Sequence, residues 1–379
     1  MKTFVALLLL AATLTPCFSQ IRAKRAAPIV IAHRGASGYM PEHTLAAYRL
    51  AVEQGADFIE PDLVSTKDGV LVARHENEIS GTTDVGARSE FAARRATKVI
   101  DGASLTGWFT EDFTLAELKQ LRCRERIPQL RPQNAEYDGR FEIPTLQEVI
   151  DLAKSMSRKV GRRVGVYPET KHPTYFRSVG LPLEEKLVRT LHRNGFRGKR
   201  DPAFIQSFEV GNLRALRKMT RLRLVQLLDA KGGPYDLAAR GDKRTYADMI
   251  TQAGLADVAT YADGIGPNKD LIVPRDRDNK LLPHTSLVAD AHAAGLVVHP
   301  FTFRRENYFL SSDLRAGSPD DPAYLRLEGK AGEEYRLFFG LGVDGLFSDN
   351  PDAAVAGREP QASSTPGKAQ KRTGSKPIR

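Results

Sequence analysis

The sequence predicts an α/β protein, a TIM (β/α)8 barrel carrying a small insertion. Short β-branched runs alternate with amphipathic stretches, which argues a parallel sheet with helices outside it. Setting aside one extra hairpin strand leaves eight such runs over roughly 330 residues, the size of a barrel with insertions. The chain also lacks the Gly-rich dinucleotide loop, Walker motif and C-x-x-C pair that would favour other α/β designs.

In chain order the expected strands are Ile29–His33, Phe58–Val64, Val70–His75, Arg163–Glu169, Ala203–Phe208, Leu222–Leu228, Ala262–Gly266, Leu296–Phe301 and Asp344–Ser348. Expected helices include Thr44–Gln54, Leu146–Ser155, Leu183–Arg193 and Thr285–Ala294. Lys67-Asp68-Gly69 is far too short for a parallel crossover, so its flanking runs should form an antiparallel hairpin. The stretch from about Asp84 to Arg140 has no β-α repeat and carries the only Trp, Trp108; it reads as an insertion over one end of the barrel.

The ends differ from the body. Lys2, an apolar run Phe4–Leu14 and the small-x-small site Cys17-Phe18-Ser19 have the pattern of a secretory signal peptide over residues 1–19. That run is too short to span a bilayer and no later stretch is longer, so an exported, periplasmic protein without a stable membrane anchor is expected. Cys123 is the one cysteine outside the leader, so no intramolecular disulfide forms. Residues 355–379 are rich in Pro, Gly, Ser, Lys and Arg and are expected to be a disordered basic tail, leaving 28–354 as the folded domain. The net charge of +10 divides accordingly. Lys2, Arg22, Lys24 and Arg25 give +4 before residue 28. Arg358, Lys368, Lys371, Arg372, Lys376 and Arg379 against Glu359 give +5 in the tail, and +1 remains for the body. A near-neutral body with no basic patch interleaved with aromatics argues against nucleic-acid binding.

Chemistry concentrates at the strand ends. Glu60 and Asp62 flank Pro61, and two positions apart on a strand they share a face. Paired carboxylates repel unless something binds them, and an all-oxygen ligand set favours Ca²⁺ or Mg²⁺. A turn around Lys67–Gly69 would set His75 opposite Glu60 or Asp62, beside the acidic pair. His33 ends the first strand, where a barrel carries its site. Glu169 and Lys171 share a face on a third strand; Glu169 offers another metal carboxylate, and Lys171 with Arg34 can hold an anion. A metal polarises a phosphoryl oxygen, the cations offset its charge, and two imidazoles can take and give protons near neutral pH. This is equipment for phosphodiester hydrolysis.

The motifs His33-Arg34-Gly35-Ala36-Ser37-Gly38-Tyr39, Pro41-Glu42-His43-Thr44, Glu60-Pro61-Asp62, Thr66-Lys67-Asp68-Gly69 and His75 resemble the glycerophosphodiester phosphodiesterase family. Tyr167-Pro168-Glu169, Gln206-Ser207-Phe208, Val298-His299-Pro300-Phe301-Thr302 and Gly345-Leu346-Phe347-Ser348-Asp349 extend the resemblance in order across the body. The leader and insertion look most like the periplasmic, calcium-dependent bacterial branch. The resemblance implies release of sn-glycerol 3-phosphate from deacylated phospholipids such as glycerophosphocholine. It implies His33 and His75 as the acid–base pair, Glu60, Asp62 and Glu169 as metal ligands, and Arg34 and Lys171 near the phosphate. The family usually has Asp directly after the second histidine; here it is Glu76, one methylene longer, with a looser hold on the imidazole expected. His43 and His299 are expected to make structural hydrogen bonds, and Phe301 and Phe303 to line the pocket or pack the barrel mouth. Two other readings compete: a phospholipase D-like or phosphoinositide-cleaving barrel acting on intact lipid, and an exported binding protein on a barrel that has lost catalysis. The second is disfavoured by the presence of both histidines and all three carboxylates.

Overall fold

A computed structural model describes residues 27–359; the expected leader and the chain from 360 onward lie outside the described residues. Strand β1, Ile29–His33, runs into Gly35, whose φ of 87° and close approach to Ala47 leave no room for a Cβ. Thr44 then caps the helix Leu45–Glu53 by accepting from the Ala47 N–H.

The second expected strand is split. Pro61 lacks an N–H and separates β2, Phe58–Glu60, from β3, Asp62–Ser65. Strand β4, Leu71–Ala73, pairs antiparallel with β3, Leu63 opposite Ala73 and Ser65 opposite Leu71. The hairpin is therefore as expected, but its register is not. A turn centred on Asp68 continues to Pro61, not to Glu60 or Asp62, as the partner of His75; the Arg74 N–H already bonds the Asp62 carbonyl at 3.0 Å.

The insertion has a hairpin of its own, β5 (Ala96–Ile100) with β6 (Ala103–Gly107), closed by Asp101-Gly102. Both turn residues have positive φ, 46° and 83°, as a two-residue turn matching the strand twist requires.

Pro168 divides the next stave as Pro61 does, into β7 (Gly165–Val166) and β8 (Glu169–Thr170). Strands β9 (Phe204–Ser207), β10 (Arg223–Leu228), β11 (Gly264–Pro267), β12 (Val297–Val298) and β13 (Gly345–Ser348) follow. They pair in parallel in the orders β13-β1-β2-β7 and β12-β11-β10-β9-β8-β3, with β4 on the end of the latter. The split staves join the two sheets. Bonds from Asp344 N to Val298 O and from Phe347 N to Pro300 O, 2.9 and 3.0 Å, close the last gap. The result is the TIM barrel.

Ile31, Phe58, Tyr167, Phe204, Val225 and Phe347 fill its interior, while a separate apolar cluster joins the staves to the outer helices. Among those helices Leu146–Val160 has a reciprocal Thr145–Glu148 capping box and ends on left-handed Gly161. Its buried residues, Leu146, Val149, Ile150, Leu152, Ala153 and Met156, cluster on one face at helical spacing. The last helix, Pro351–Arg358, extends past the boundary expected at 354. Residues 355–358 belong to the fold because Val355 packs against the core, Gly357 is buried and Arg358 pairs with the Pro28 carbonyl and the Asp57 carboxylate. Among the described residues no helix is long and apolar enough to cross a membrane.

Candidate active site

The C-terminal ends of the staves surround a cavity of about 380 Å³ lined by His33, Arg34, Glu60, His75, Glu169 and Lys171, among others. Asp62 lies just beneath, 1% exposed. The structure thus brings together all seven residues singled out from sequence. Phe301 lines the cavity, whereas Phe303 is fully buried against Tyr335 and Phe338.

Glu60, Asp62 and Glu169 each place a carboxylate oxygen within 4.8 Å of the others, all three buried. Glu60 is held by the Arg34 N–H at 2.8 Å and by Gln206 Nε2 at 3.2 Å. Asp62 accepts from His43 Nε2 at 3.0 Å, while His43 Nδ1 faces the Tyr48 hydroxyl at 2.7 Å. That fully buried histidine is structural, as expected, but what it orients is a candidate metal ligand. His299, also buried, bonds the Tyr167 hydroxyl inside the barrel.

Burial, together with Asp62 and Glu169, pushes the Glu60 carboxyl well above its usual range. Burial raises Glu169 to about 8, against the pull of Lys171 and reinforced by Asp62. Asp62 stays low despite burial, because His43 donates to it and His75 and Lys171 lie near. Such a trio of hard oxygen donors, crowded and buried, suits a divalent cation.

This has a consequence for stability. Without metal, Glu169 holds a proton in the fold that it gives up in the unfolded chain, where its value is 4.5. The contribution of Glu169 to the metal-free fold therefore becomes less favourable as pH rises from about 4.5 to about 8. A bound cation removes that penalty, so added Ca²⁺ should raise Tm more at pH 8 than at pH 6. Equal shifts at both pH values in differential scanning fluorimetry would contradict this.

The two cavity histidines have different partners. His33 Nδ1 lies 2.6 Å from Asp349 Oδ1. The other Asp349 oxygen receives Arg131 Nη2 at 2.7 Å and Arg304 Nε at 2.8 Å. Although buried, Asp349 is held far below the usual carboxylate range by those two arginines. His75 Nε2 lies 3.3 Å from Lys171 Nζ, and Lys171 pairs with Glu169 at 3.1 Å. His75 Nδ1 is 2.7 Å from Glu76 Oε1, but off the line of a ring N–H bond. Burial and the charge of Arg34 lower His33 to about 4; burial, Arg34 and Lys171 lower His75 to about 3. Both are therefore neutral bases near pH 7. Arg34 itself reaches Glu42 at 3.0 Å and Asp62 at 3.3 Å.

Residues 33–353 match the sequence profile of the glycerophosphoryl diester phosphodiesterase family. The chain belongs to that family. A glycerophosphodiester phosphodiesterase of Arabidopsis thaliana is 40% identical over 335 residues, covering 85% of this chain and 83% of the relative. One of Haemophilus influenzae is 30% identical over 387 residues, covering 94% and 98%. Among solved structures, an Oleispira antarctica phosphodiesterase in complex with the product sn-glycerol-3-phosphate superposes with a TM-score of 0.55 at 22% identity, covering 87% of this chain and 96% of that one. The activity of a glycerophosphodiester phosphodiesterase is therefore that of this chain. The plant relative is more alike than the bacterial one, so these likenesses do not single out the bacterial branch expected from the leader.

The sequence of this family member placed Asp349 and Gln206 in motifs without giving them a role, and did not single out Arg131, Arg304 or His172. Asp349 had a signal: it ends the motif on β13, and in a closed barrel β13 lies beside β1, with Ser348 paired to Ala32. Arg131 had none, because it lies in the insertion, outside any strand or helical repeat.

Proposed function

We propose that this phosphodiesterase hydrolyses glycerophosphodiesters such as glycerophosphocholine to sn-glycerol 3-phosphate and an alcohol, with Ca²⁺ as its metal and His33 and His75 as its acid–base pair. The convergence of two imidazoles, three carboxylates and two cations on one cavity carries this reading. About 380 Å³ of space with a charged lining suits a small polar diester. The product bound to the Oleispira relative is of the same class.

Arg34 and Lys171 stand at the cavity to meet the phosphate charge. Asp349, kept ionised by Arg131 and Arg304, fixes the proton of His33 on Nδ1 and leaves Nε2 as the base. One imidazole takes the proton of the attacking oxygen; the other, neutral until the anionic phosphate lies beside it, takes up a proton from solvent on substrate binding and gives it to the departing alcohol, and the first ring releases its proton to solvent afterwards. Glu60, Asp62 and Glu169 would hold the cation, which when bound supplies positive charge against the phosphoryl oxygens.

Phosphorus NMR on glycerophosphocholine and on intact phosphatidylcholine tests the substrate class. Glycerol 3-phosphate should accumulate from the first and no phosphoester product from the second. Phosphocholine as product, or turnover of intact lipid alone, would overturn the reading. The leader motivates a location: export to the periplasm with residues 1–19 removed. Mass spectrometry of the mature protein from fractionated Gram-negative cells should find its N-terminus after Ser19 in the periplasmic fraction; intact Met1 in the cytosol would contradict it.

A further inference from the structure

A chain of short contacts runs outward from His75, away from the phosphate cavity. Glu76 presents Oε1 to His75 Nδ1 at 2.7 Å and Oε2 to His172 Nε2 at 2.9 Å. The second ring nitrogen of His172 meets Asp101 Oδ2 at 2.6 Å. Asp101 is the first residue of the insertion's hairpin turn, so the chain ends on the insertion, not on the barrel.

The backbone is shaped for this. His172 follows Lys171 directly in left-handed conformation, φ 47°, before Pro173 opens the next helix. A β-substituted residue there costs about 1–3 kcal/mol and is kept only when its surroundings fix it. Asp101 is left-handed as well, at the tip of a two-residue turn. The donor count fixes the charge. Two carboxylates facing the two ring nitrogens require both to carry protons, hence an imidazolium. Burial works against that charge, but the bonds that His172 donates to Asp101 and Glu76 raise it to about 9.

Glutamate has one more rotatable bond than aspartate and, tethered at one oxygen only, would sweep past His75. Its contact with the His75 ring is short but off-line, so that contact alone does not orient it. The bond to His172 does.

We propose that Asp101, His172 and Glu76 are positioning residues for His75: the insertion hairpin, acting through the His172 imidazolium, locks the far oxygen of Glu76 so that the near oxygen fixes the His75 ring. This rests on the role proposed above for His75. None of the three is required to touch the phosphate, so their loss should act on kcat and spare KM.

Steady-state kinetics on glycerophosphocholine with saturating Ca²⁺ test it. His172→Ala should lower kcat by about 10- to 100-fold, the cost of an ångström-scale misplacement, with KM within about twofold. Asp101→Asn, a near-isosteric change at a partly exposed turn whose left-handed backbone asparagine also tolerates, should lower kcat in the same way and by less. Glu76→Asp, too short to bridge both rings, removes the element through which His172 acts. Adding His172→Ala to Glu76→Asp should therefore cost nothing further. Multiplicative losses in the double variant, or a rise in KM as the main effect of His172→Ala, would overturn the proposal. His75→Ala run alongside separates the two ideas: unimpaired turnover there removes the role of His75 itself, whereas an inactive His75→Ala beside wild-type His172→Ala and Asp101→Asn removes only the positioning chain.

Discussion

Replacing His33 or His75 by alanine should lower kcat by about 10²- to 10⁴-fold each, the usual worth of a positioned acid or base. The expectation is strongest for His33. Its Nδ1 is pinned to an Asp349 carboxylate that the buried Arg131 and the cavity-lining Arg304 keep ionised, so the ring has one tautomer and one orientation. Asp349→Asn should then cost nearly as much as losing the imidazole, because an amide can donate to Nδ1 and favour the wrong tautomer. Both side chains are partly exposed to the cavity, at 12% and 23%, so truncation leaves a water-accessible gap and not a core void. Thermal unfolding should accordingly stay close to wild type while kcat collapses. Near-wild-type rates in either alanine variant would remove that residue from the chemistry.

The second large effect concerns the carboxylates. Glu60→Gln, Asp62→Asn and Glu169→Gln should each lower activity about 10²-fold or more and raise the Ca²⁺ concentration needed for half-maximal rate. The stability effect has the opposite sign for Glu60 and Glu169. Each is buried beside its like-charged neighbours and protonated far above the normal range, so neutralising it relieves repulsion in the metal-free fold. Metal-free Glu60→Gln and Glu169→Gln should unfold at or above the wild-type temperature at pH 8, yet gain little on adding Ca²⁺. Asp62 differs, since His43 and Arg34 already satisfy its charge; Asp62→Asn keeps an acceptor oxygen but removes the charge that Arg34 faces, and should be less stable. Parallel melting curves with and without Ca²⁺ separate these cases. Destabilisation by all three substitutions to the same extent would mean that the trio is an ordinary ion-pair network.

Much of this was legible in the sequence, for identifiable reasons. The β-branched runs and helical stretches marked nearly every stave because parallel strands buried on both faces leave a strong apolar signal. The interruptions at Pro61 and Pro168 were visible as prolines, but their effect, dividing one stave into two ladders, depends on neighbours that only the closed barrel supplies. His33, Glu60, Asp62, His75, Glu169 and Lys171 stood out because barrel chemistry gathers at strand ends, where residue type and position together are informative. The one-residue error in the partner of His75 shows how sharply register depends on the centre of a turn. The supporting residues were harder to see. Arg131 and Asp101 approach from an insertion without periodicity, and His172 became meaningful only once its left-handed backbone set it between two acids. The Asp101-Gly102 pair was a readable turn signal for the insertion's hairpin, but nothing in the chain says where that hairpin lands.

In the proposed chemistry a divalent cation held by Glu60, Asp62 and Glu169 works with His33 and His75 to cleave a glycerophosphodiester. That chemistry is tested most directly by measuring glycerol 3-phosphate release from glycerophosphocholine after exhaustive chelation and again after Ca²⁺ is restored. Release should fall to near background on chelation and return with Ca²⁺. Undiminished release from thoroughly chelated protein would contradict the account.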